Sequence, residues 1–276
     1  MRPLKHISSA ANPRYRALRK LMQSSQERRK TGLSVLDGMH LAAAYCEHVG
    51  LPRSIAVSRS GLGNPEVASL LDRMRGVEIF ALGDALFGGL SSVATPTGIL
   101  TVVETPCPQT VPRDMDACVM LEDLQDPGNL GSILRSCAAA DVRHVLLSKG
   151  SVQAWSPRAL RAGMGAHFML SIHEQTDLHA AARAFTGRFI ATSQRAPKSV
   201  FDVDLTGRLA FAFGNEGSGI TPALRGTADA VVSIPMPGKA ESLNVAAAAA
   251  VCLFERVRQL SAIRAHGHSR PGAAES

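Results

Sequence analysis

Three times this sequence runs an apolar, strand-like stretch directly into a loop rich in Gly, Asn and acidic residues, and this repetition limits the fold more than any other feature. Residues 117–121 lead to Asp126-Pro127-Gly128-Asn129-Leu130-Gly131. Residues 209–213 lead to Gly214-Asn215-Glu216-Gly217-Ser218-Gly219, and residues 230–234 lead through Pro235-Met236-Pro237-Gly238-Lys239-Ala240-Glu241 to Ser242-Leu243-Asn244. The last loop opens a helix expected from Leu243. Open α/β sheets carry their ligand sites in such loops, at the carboxyl ends of strands. The glycines let backbone amides approach a ligand closely, while Asn215, Glu216, Ser242 and Asn244 supply polar groups.

Strand and helix patterns alternate along the whole chain, which predicts α/β architecture throughout. The N-terminal part reads as a basic helix over 13–30, strands over 33–36, 54–58, 77–81 and 98–103, and helices over 40–48, 65–74 and 83–87. Three prolines within residues 106–112 interrupt this pattern and mark a linker. The reading is a domain over 1–105, a Pro-rich linker over 106–114, a second domain over 115–262 and a flexible tail over 263–276. Strands of the second domain are expected near Ala117, His144, Phe168, Arg188, Leu209 and Ala230, in a mainly parallel sheet covered on both faces. Pattern alone predicts a plain doubly wound sheet, because threaded chains are rare.

The net charge of +7 is concentrated at one end. Residues 1–30 hold nine Lys or Arg against the one acid Glu27, a charge of +8, so the remainder sums to −1. Closely spaced cations release several counterions on meeting a polyanion, which makes Arg14, Arg16, Arg19, Lys20, Arg28, Arg29 and Lys30 candidate RNA-binding residues. A solvated helix face and an Arg-rich transit peptide are the competing readings. The five cysteines include no Cys-x-x-Cys pair and imply neither a disulfide framework nor zinc; Cys118, Cys137 and Cys252 read as core residues. No metal spacing, secretory signal or membrane span is apparent, so the expectation is a cytoplasmic protein without a metal.

In order and spacing, the three loops resemble the signature motifs of the SpoU (TrmH) family of RNA ribose 2'-O-methyltransferases, within the SPOUT superfamily, over roughly residues 116–259. Residues 7–13, the basic helix and Leu36-Asp37-Gly38 resemble the start of the substrate-binding domain in many members. The resemblance implies a C-terminal SPOUT trefoil knot, an N-terminal L30e-like RNA-binding domain, S-adenosylmethionine as cofactor and a homodimer. It assigns cofactor binding to Gly214, Asn215, Gly217, Ile234, Met236 and Leu243, largely through main chain. The catalytic assignments are Arg135, Asn129, Glu216, Ser242 and Asn244.

The residues support these roles in different degrees. On a helix starting after Asn129, Leu130, Ile133, Leu134, Cys137 and Ala138 form the apolar stripe, and Arg135 falls outside it beside Gly131. A guanidinium resists deprotonation, so Arg135 suits gripping an RNA phosphate better than acting alone as a base, although family proposals of a phosphate-assisted base stay open. Asn129 and Ser242 each also read as helix N-caps. Glu216 is the acid placed to orient Asn129 or Arg135, and Asn244 positions the loop or cofactor. Arg158, Arg161 and Gly163-Met164-Gly165-Ala166 resemble a further family stretch near RNA or a dimer interface, with Gly163 where Ser is common. Trp155 reads as a packing residue. Ala246, where many members have Ser, begins a run of five alanines.

The expected substrate is 23S-type ribosomal RNA. The alternatives are a tRNA 2'-O-methyltransferase and a catalytically silent RNA-binding or ribosome-assembly protein.

Overall fold

The computed structural model describes residues 4–91, 93 and 95–267. The chain forms two compact units, one of Met1–Cys107 with Gln153–Met169, the other of Pro108–Val152 with Leu170–Ser276.

The first unit begins with β1 (Lys5–Ile7), α1 (Pro13–Gln23) and α2 (Ser25–Thr31), followed by β2 (Leu33–Asp37), α3 (Met39–His48) and β3 (Ser54–Ser58). It continues through α4 (Pro65–Arg73), β4 (Glu78–Leu82), α5 (Asp84–Gly88) and β5 (Ile99–Glu104). The strands form one sheet in the order β1-β4-β3-β5-β2, with β5 antiparallel to both neighbours. Alternation along β3 explains why both faces are covered. Ala56 joins Tyr15, Leu18, Phe80 and Phe87 in one core, while Ile55 and Val57 join Ala42, Val67, Leu70 and Met74 in the other.

The basic segment expected as one helix is two. Asn12 caps α1 by accepting from the Arg14 amide, and Pro13 takes the first helical position. Ser24 is then extended, at φ −116° and ψ 117°, and its hydroxyl accepts from the Glu27 amide to start α2. A Ser-x-x-Glu capping sequence interrupts the helix just where the apolar stripe of Tyr15, Leu18 and Leu21 ends.

The second unit contains β6 (Ala117–Leu121), α6 (Pro127–Ala139) and β7 (His144–Leu147). Between β7 and β8 in sequence, α7 (Pro157–Gly163) belongs to the first unit. The second unit resumes with β8 (Ser171–His173), α8 (Leu178–Ala184), β9 (Arg188–Thr192), β10 (Lys198–Ser199), β11 (Leu209–Phe213), α9 (Pro222–Arg225), β12 (Ala230–Ser233) and α10 (Val245–Gly267). Its seven strands lie in the order β10-β12-β9-β11-β6-β7-β8, and all pairings are parallel, as the alternating pattern predicts. Cys118 and Met120 of β6 pack with Leu146, Phe189, Ala210, Leu178 and Leu224, and the intervening Val119 and Leu121 are equally buried. On leaving β6 the chain builds β7 and β8 to one side and later fills the other with β11, β9 and β12. The β6/β11 boundary is therefore a topological switch point, where open sheets form a crevice.

Two further expectations change. The strand placed near Phe168 is a 3₁₀ turn over Ala166–Met169, and the strand is Ser171–His173. Met164 (φ 50°) and Gly165 (φ 93°) turn the backbone there. The last helix runs to Gly267, past the expected start of the tail at 263, and residues 268–276 of that tail lie outside the described residues.

Candidate active site

At the carboxyl end of β6, the Asp126 side chain accepts the Asn129 amide at 2.7 Å and Pro127 occupies the first helical position. Asp126 is thus the N-cap of α6, and Asn129 stands inside the first turn instead of at the cap. Its own side chain is left to bond elsewhere. Asn129 Nδ2 donates to Glu216 Oε1 at 3.0 Å, and Asn129 Oδ1 accepts from Asn244 Nδ2 at 2.9 Å. Asn244 Oδ1 accepts the Ala246 amide at 2.9 Å, so Asn244, and not Ser242, caps α10. One side-chain relay, Glu216–Asn129–Asn244, joins all three loops.

The loop after β11 is shaped by its glycines. A Cβ at Gly214 would overlap the backbone of Gly219 and Ile220, and Gly219 adopts φ +70°, so the loop folds back on itself. The Gly219 amide donates to the Asn215 carbonyl at 2.9 Å, and Asn215 Oδ1 accepts the amides of Gly217 and Ser218 at 2.9 and 3.0 Å. Partial burial would raise the Glu216 carboxyl. Donation from the Asn129 amide, followed by backbone amides including those of Gln125 and Asp126, outweighs that effect and holds the carboxyl below its ordinary value.

Beside this relay lies a cavity of about 320 Å³. Among the expected cofactor residues Gly214, Asn215, Ile234, Met236 and Leu243 line it, together with Glu216, Ser242 and Asn244. Gly217 does not. Sequence reading missed Thr192, Ser193 and Gln194, which also line the cavity from the end of β9. Their signal was the one used for the other loops, an apolar strand passing into polar residues, but without glycine it did not stand out. The buried Cys252 closes part of the cavity from α10, and burial pushes its thiol up to about 12, so it serves as inert wall.

Arg135 is not part of the relay. It is exposed on α6 and makes no hydrogen bond or ion pair among the described residues, while Leu130, Gly131, Ile133, Leu134 and Cys137 are buried. Its guanidinium is thereby available to an external anion.

Within the first unit, Arg14, Arg16, Arg19, Lys20, Arg29 and Lys30 are exposed, with Arg14 paired to Glu78 at 2.6 Å. Arg28 departs from the expected RNA-binding set. It is 5% exposed; its Nε donates to Gln153 Oε1 at 2.7 Å, and its Nη1 donates to the Leu21 carbonyl at 2.6 Å. Arg28 therefore ties α2 to the end of α1 and to the later segment of the same unit. Trp155 is a packing residue, 2% exposed, with ring centroids 5.4 Å from His167 and 6.3 Å from Phe168. Among the described residues no His, Cys, Asp or Glu cluster of metal-binding size occurs, and no helix is long and apolar enough to cross a membrane.

The sequence model of the SpoU rRNA Methylase family matches residues 116–254. The chain is 28% identical over 257 residues to the 23S rRNA (guanosine(2553)-2'-O)-methyltransferase RlmP of Bacillus subtilis, with 91% of this chain and 98% of RlmP covered. It is 30% identical over 258 residues to an uncharacterized tRNA/rRNA methyltransferase of Synechocystis sp., covering 92% and 93% respectively. Among solved structures it resembles the SpoU methyltransferase AviRb from Streptomyces viridochromogenes in complex with AdoMet. That match has a TM-score of 0.78 and 27% identity, and covers 91% of this chain and 100% of AviRb.

Proposed function

The chain belongs to the SpoU rRNA Methylase family, and from that membership we propose that it transfers a methyl group from S-adenosylmethionine to a ribose 2'-hydroxyl of 23S-type ribosomal RNA. The observation that carries the reading is the Glu216–Asn129–Asn244 relay, which links two walls of a cavity at the strand-order switch point.

The cavity suits the cofactor. Its volume of about 320 Å³ falls at the lower end of small-molecule sites, roughly 300–1,000 Å³. Ile234, Leu243 and Val245 offer apolar surface for a purine, while Ser193, Asn215 and Ser242 offer polar groups for a ribose and an amino-acid moiety. When bound, S-adenosylmethionine supplies an electrophilic methyl group on a sulfonium. The chain's task is then alignment, a contribution worth about 7–11 kcal/mol in favourable model systems. Glu216 holds Asn129, Asn129 holds Asn244, and Asn244 anchors the α10 end of the cavity wall. Arg135, with no partner of its own among the described residues, grips the phosphate beside the target ribose and keeps the 2'-hydroxyl in line, while that phosphate or water receives the proton.

The second unit is read as the trefoil-knotted SPOUT domain and the first as an L30e-like RNA-binding domain, in a cytoplasmic homodimer. Family membership and the all-parallel second sheet support the first of these assignments. The exposed cations of α1 and α2 support the second. Phe254, 48% exposed, lies seven residues after the exposed Ala247 on the same side of α10 and supports the dimer.

Incubation with methyl-labelled cofactor and either 23S-type rRNA or tRNA tests the function. Label should appear in an alkali-resistant dinucleotide from the rRNA. Label confined to bases overturns ribose methylation, and label confined to tRNA overturns the substrate.

A further inference from the structure

Two acidic residues immediately past β6, Glu122 and Asp123, have no role in the relay, yet they grip the Gly-rich loop at both ends. Glu122 Oε2 accepts the Thr221 amide at 2.7 Å and Oε1 accepts the Thr221 hydroxyl at 2.8 Å. The Asp123 carbonyl accepts Asn215 Nδ2 at 2.9 Å. Between these two anchors lies the segment that contains Glu216.

The dipeptide is itself firmly held. The Glu122 amide donates to the Phe213 carbonyl at 2.9 Å, which continues the β6–β11 pairing by one residue. Asp123 sits in the left-handed region at φ 53°, a conformation that costs an ordinary side chain about 1 kcal/mol or more. A closed set of side-chain bonds offsets that cost. The Asp123 amide donates to Ser148 Oγ at 2.9 Å, and Ser148 Oγ donates to Asp123 Oδ1 at 2.7 Å. A Cβ at Gly150 would overlap the Asp123 carboxylate in this position, so the carboxylate packs directly against the glycine. This left-handed turn directs the Asp123 carbonyl toward Asn215.

We propose that Glu122 and Asp123 are positioning residues for methyl transfer, clamping both ends of the loop 214–221 so that Glu216 meets Asn129 and Gly214 and Asn215 face the cofactor cavity. The physical need follows from the loop's composition. Gly214, Gly217 and Gly219 give it more conformational freedom than other residues would, so a loop tethered only by the chain would hold Glu216 poorly. Charge-assisted bonds to Thr221 at one end and a backbone anchor on Asn215 at the other remove that freedom before the substrates arrive.

The inference rests on the methyl-transfer reading. Its test compares wild type, Glu122→Ala and Glu122→Gln, with cofactor affinity measured by calorimetry and single-turnover methylation of a 23S-type rRNA transcript at saturating cofactor. Glu122→Ala removes both charge-assisted hydrogen bonds to Thr221 and should weaken cofactor binding and slow methylation by about tenfold or more each. Glu122→Gln keeps one oxygen acceptor for Thr221 and should recover most of both losses. A Glu122→Ala protein equal to wild type overturns the inference, as does Glu122→Gln being as impaired as Glu122→Ala. If Glu122→Ala fails to fold, Thr221→Val decides in its place: it keeps the amide bond to Glu122 but removes the hydroxyl's bond to Glu122 and its cap on the Leu224 amide, and should produce a smaller loss in the same two readouts; no loss overturns the clamp. A wild-type protein that binds no cofactor overturns the methyl-transfer reading and the inference with it.

Discussion

The side-chain amide of Asn244 donates through Nδ2 to Asn129 Oδ1 at 2.9 Å, across 115 positions of sequence. The orientation of both amides follows from their other partners. Glu216 accepts hydrogen bonds only, so Asn129 must turn its nitrogen toward that carboxylate and its oxygen toward Asn244. Asn244 must likewise keep its oxygen for the Ala246 amide. Each residue in the relay thus has one arrangement that satisfies every partner.

Replacing Asn129 with Asp should be more damaging than replacing it with Ala. The new carboxylate would lie where Nδ2 now stands, 3.0 Å from Glu216, and two like charges so close raise one of the two pKa values. Single-turnover rates of Asn129→Asp should fall about a hundredfold and recover in part at lower pH, where one carboxyl is protonated. A rate equal to wild type at neutral pH removes the relay from the mechanism.

Arg135→Ala should nearly abolish methylation while leaving cofactor affinity close to wild type, because the exposed guanidinium faces away from the buried stripe of α6 and does not line the cavity. Calorimetry with S-adenosylmethionine alongside a turnover assay separates the two effects. Wild-type turnover would show that another group grips the RNA.

The charge of α1 and α2 makes a prediction in salt. Replacing Arg16, Arg19 and Lys20 together by Gln should reduce the slope of log affinity against log salt by about 0.7–0.9 for each RNA phosphate that is no longer neutralised. Arg28→Gln should instead lower thermal stability with little change in slope, because its guanidinium is bound to Gln153 and the Leu21 carbonyl. An Arg28→Gln protein of normal stability and reduced slope would return Arg28 to the RNA-binding set.

His167 makes the first unit sensitive to acid. Burial lowers its pKa to about 4, partly opposed by the bond between Nε2 and the Ala154 carbonyl at 2.9 Å. Because the unfolded chain takes up this proton first, the His167 contribution to stability should fall by about 3 kcal/mol as pH drops from 6.5 to 4, and this contribution is fully lost below. Trp155, the single tryptophan, reports it through denaturation monitored by fluorescence. His167→Gln should flatten this part of the profile, and an unchanged profile would assign the acid sensitivity to other groups.

A homodimer built on α10 should come apart when Phe254 becomes Lys. Sedimentation should show a dimer for wild type and a monomer for Phe254→Lys, with reduced methylation if the partner completes the site. A fully active wild-type monomer at micromolar concentration rules the dimer out.

Much of this protein is determined locally and was legible in its residues. Alternating apolar strands and helices specify two α/β layers, and strand-to-loop transitions rich in glycine mark the cavity, because these features depend on periodicity and backbone freedom over a few positions. Capping was less legible. Asp126, Asn129, Ser242 and Asn244 are all suitable cap residues by type, and only the packed loops show that Asp126 and Asn244 cap while Asn129 serves the relay. Gly163 shows the same limit. A Cβ there would overlap the ring of His167, so the absence of Ser at that position is a packing requirement visible only once the chain has turned at Met164 and Gly165. The inward turn of Arg28 and the clamp of Glu122 on Thr221 join residues 125 and 99 positions apart. Charge and residue type are written in the sequence; which partner each polar group finds is decided when distant segments are brought together and buried donors and acceptors must be satisfied.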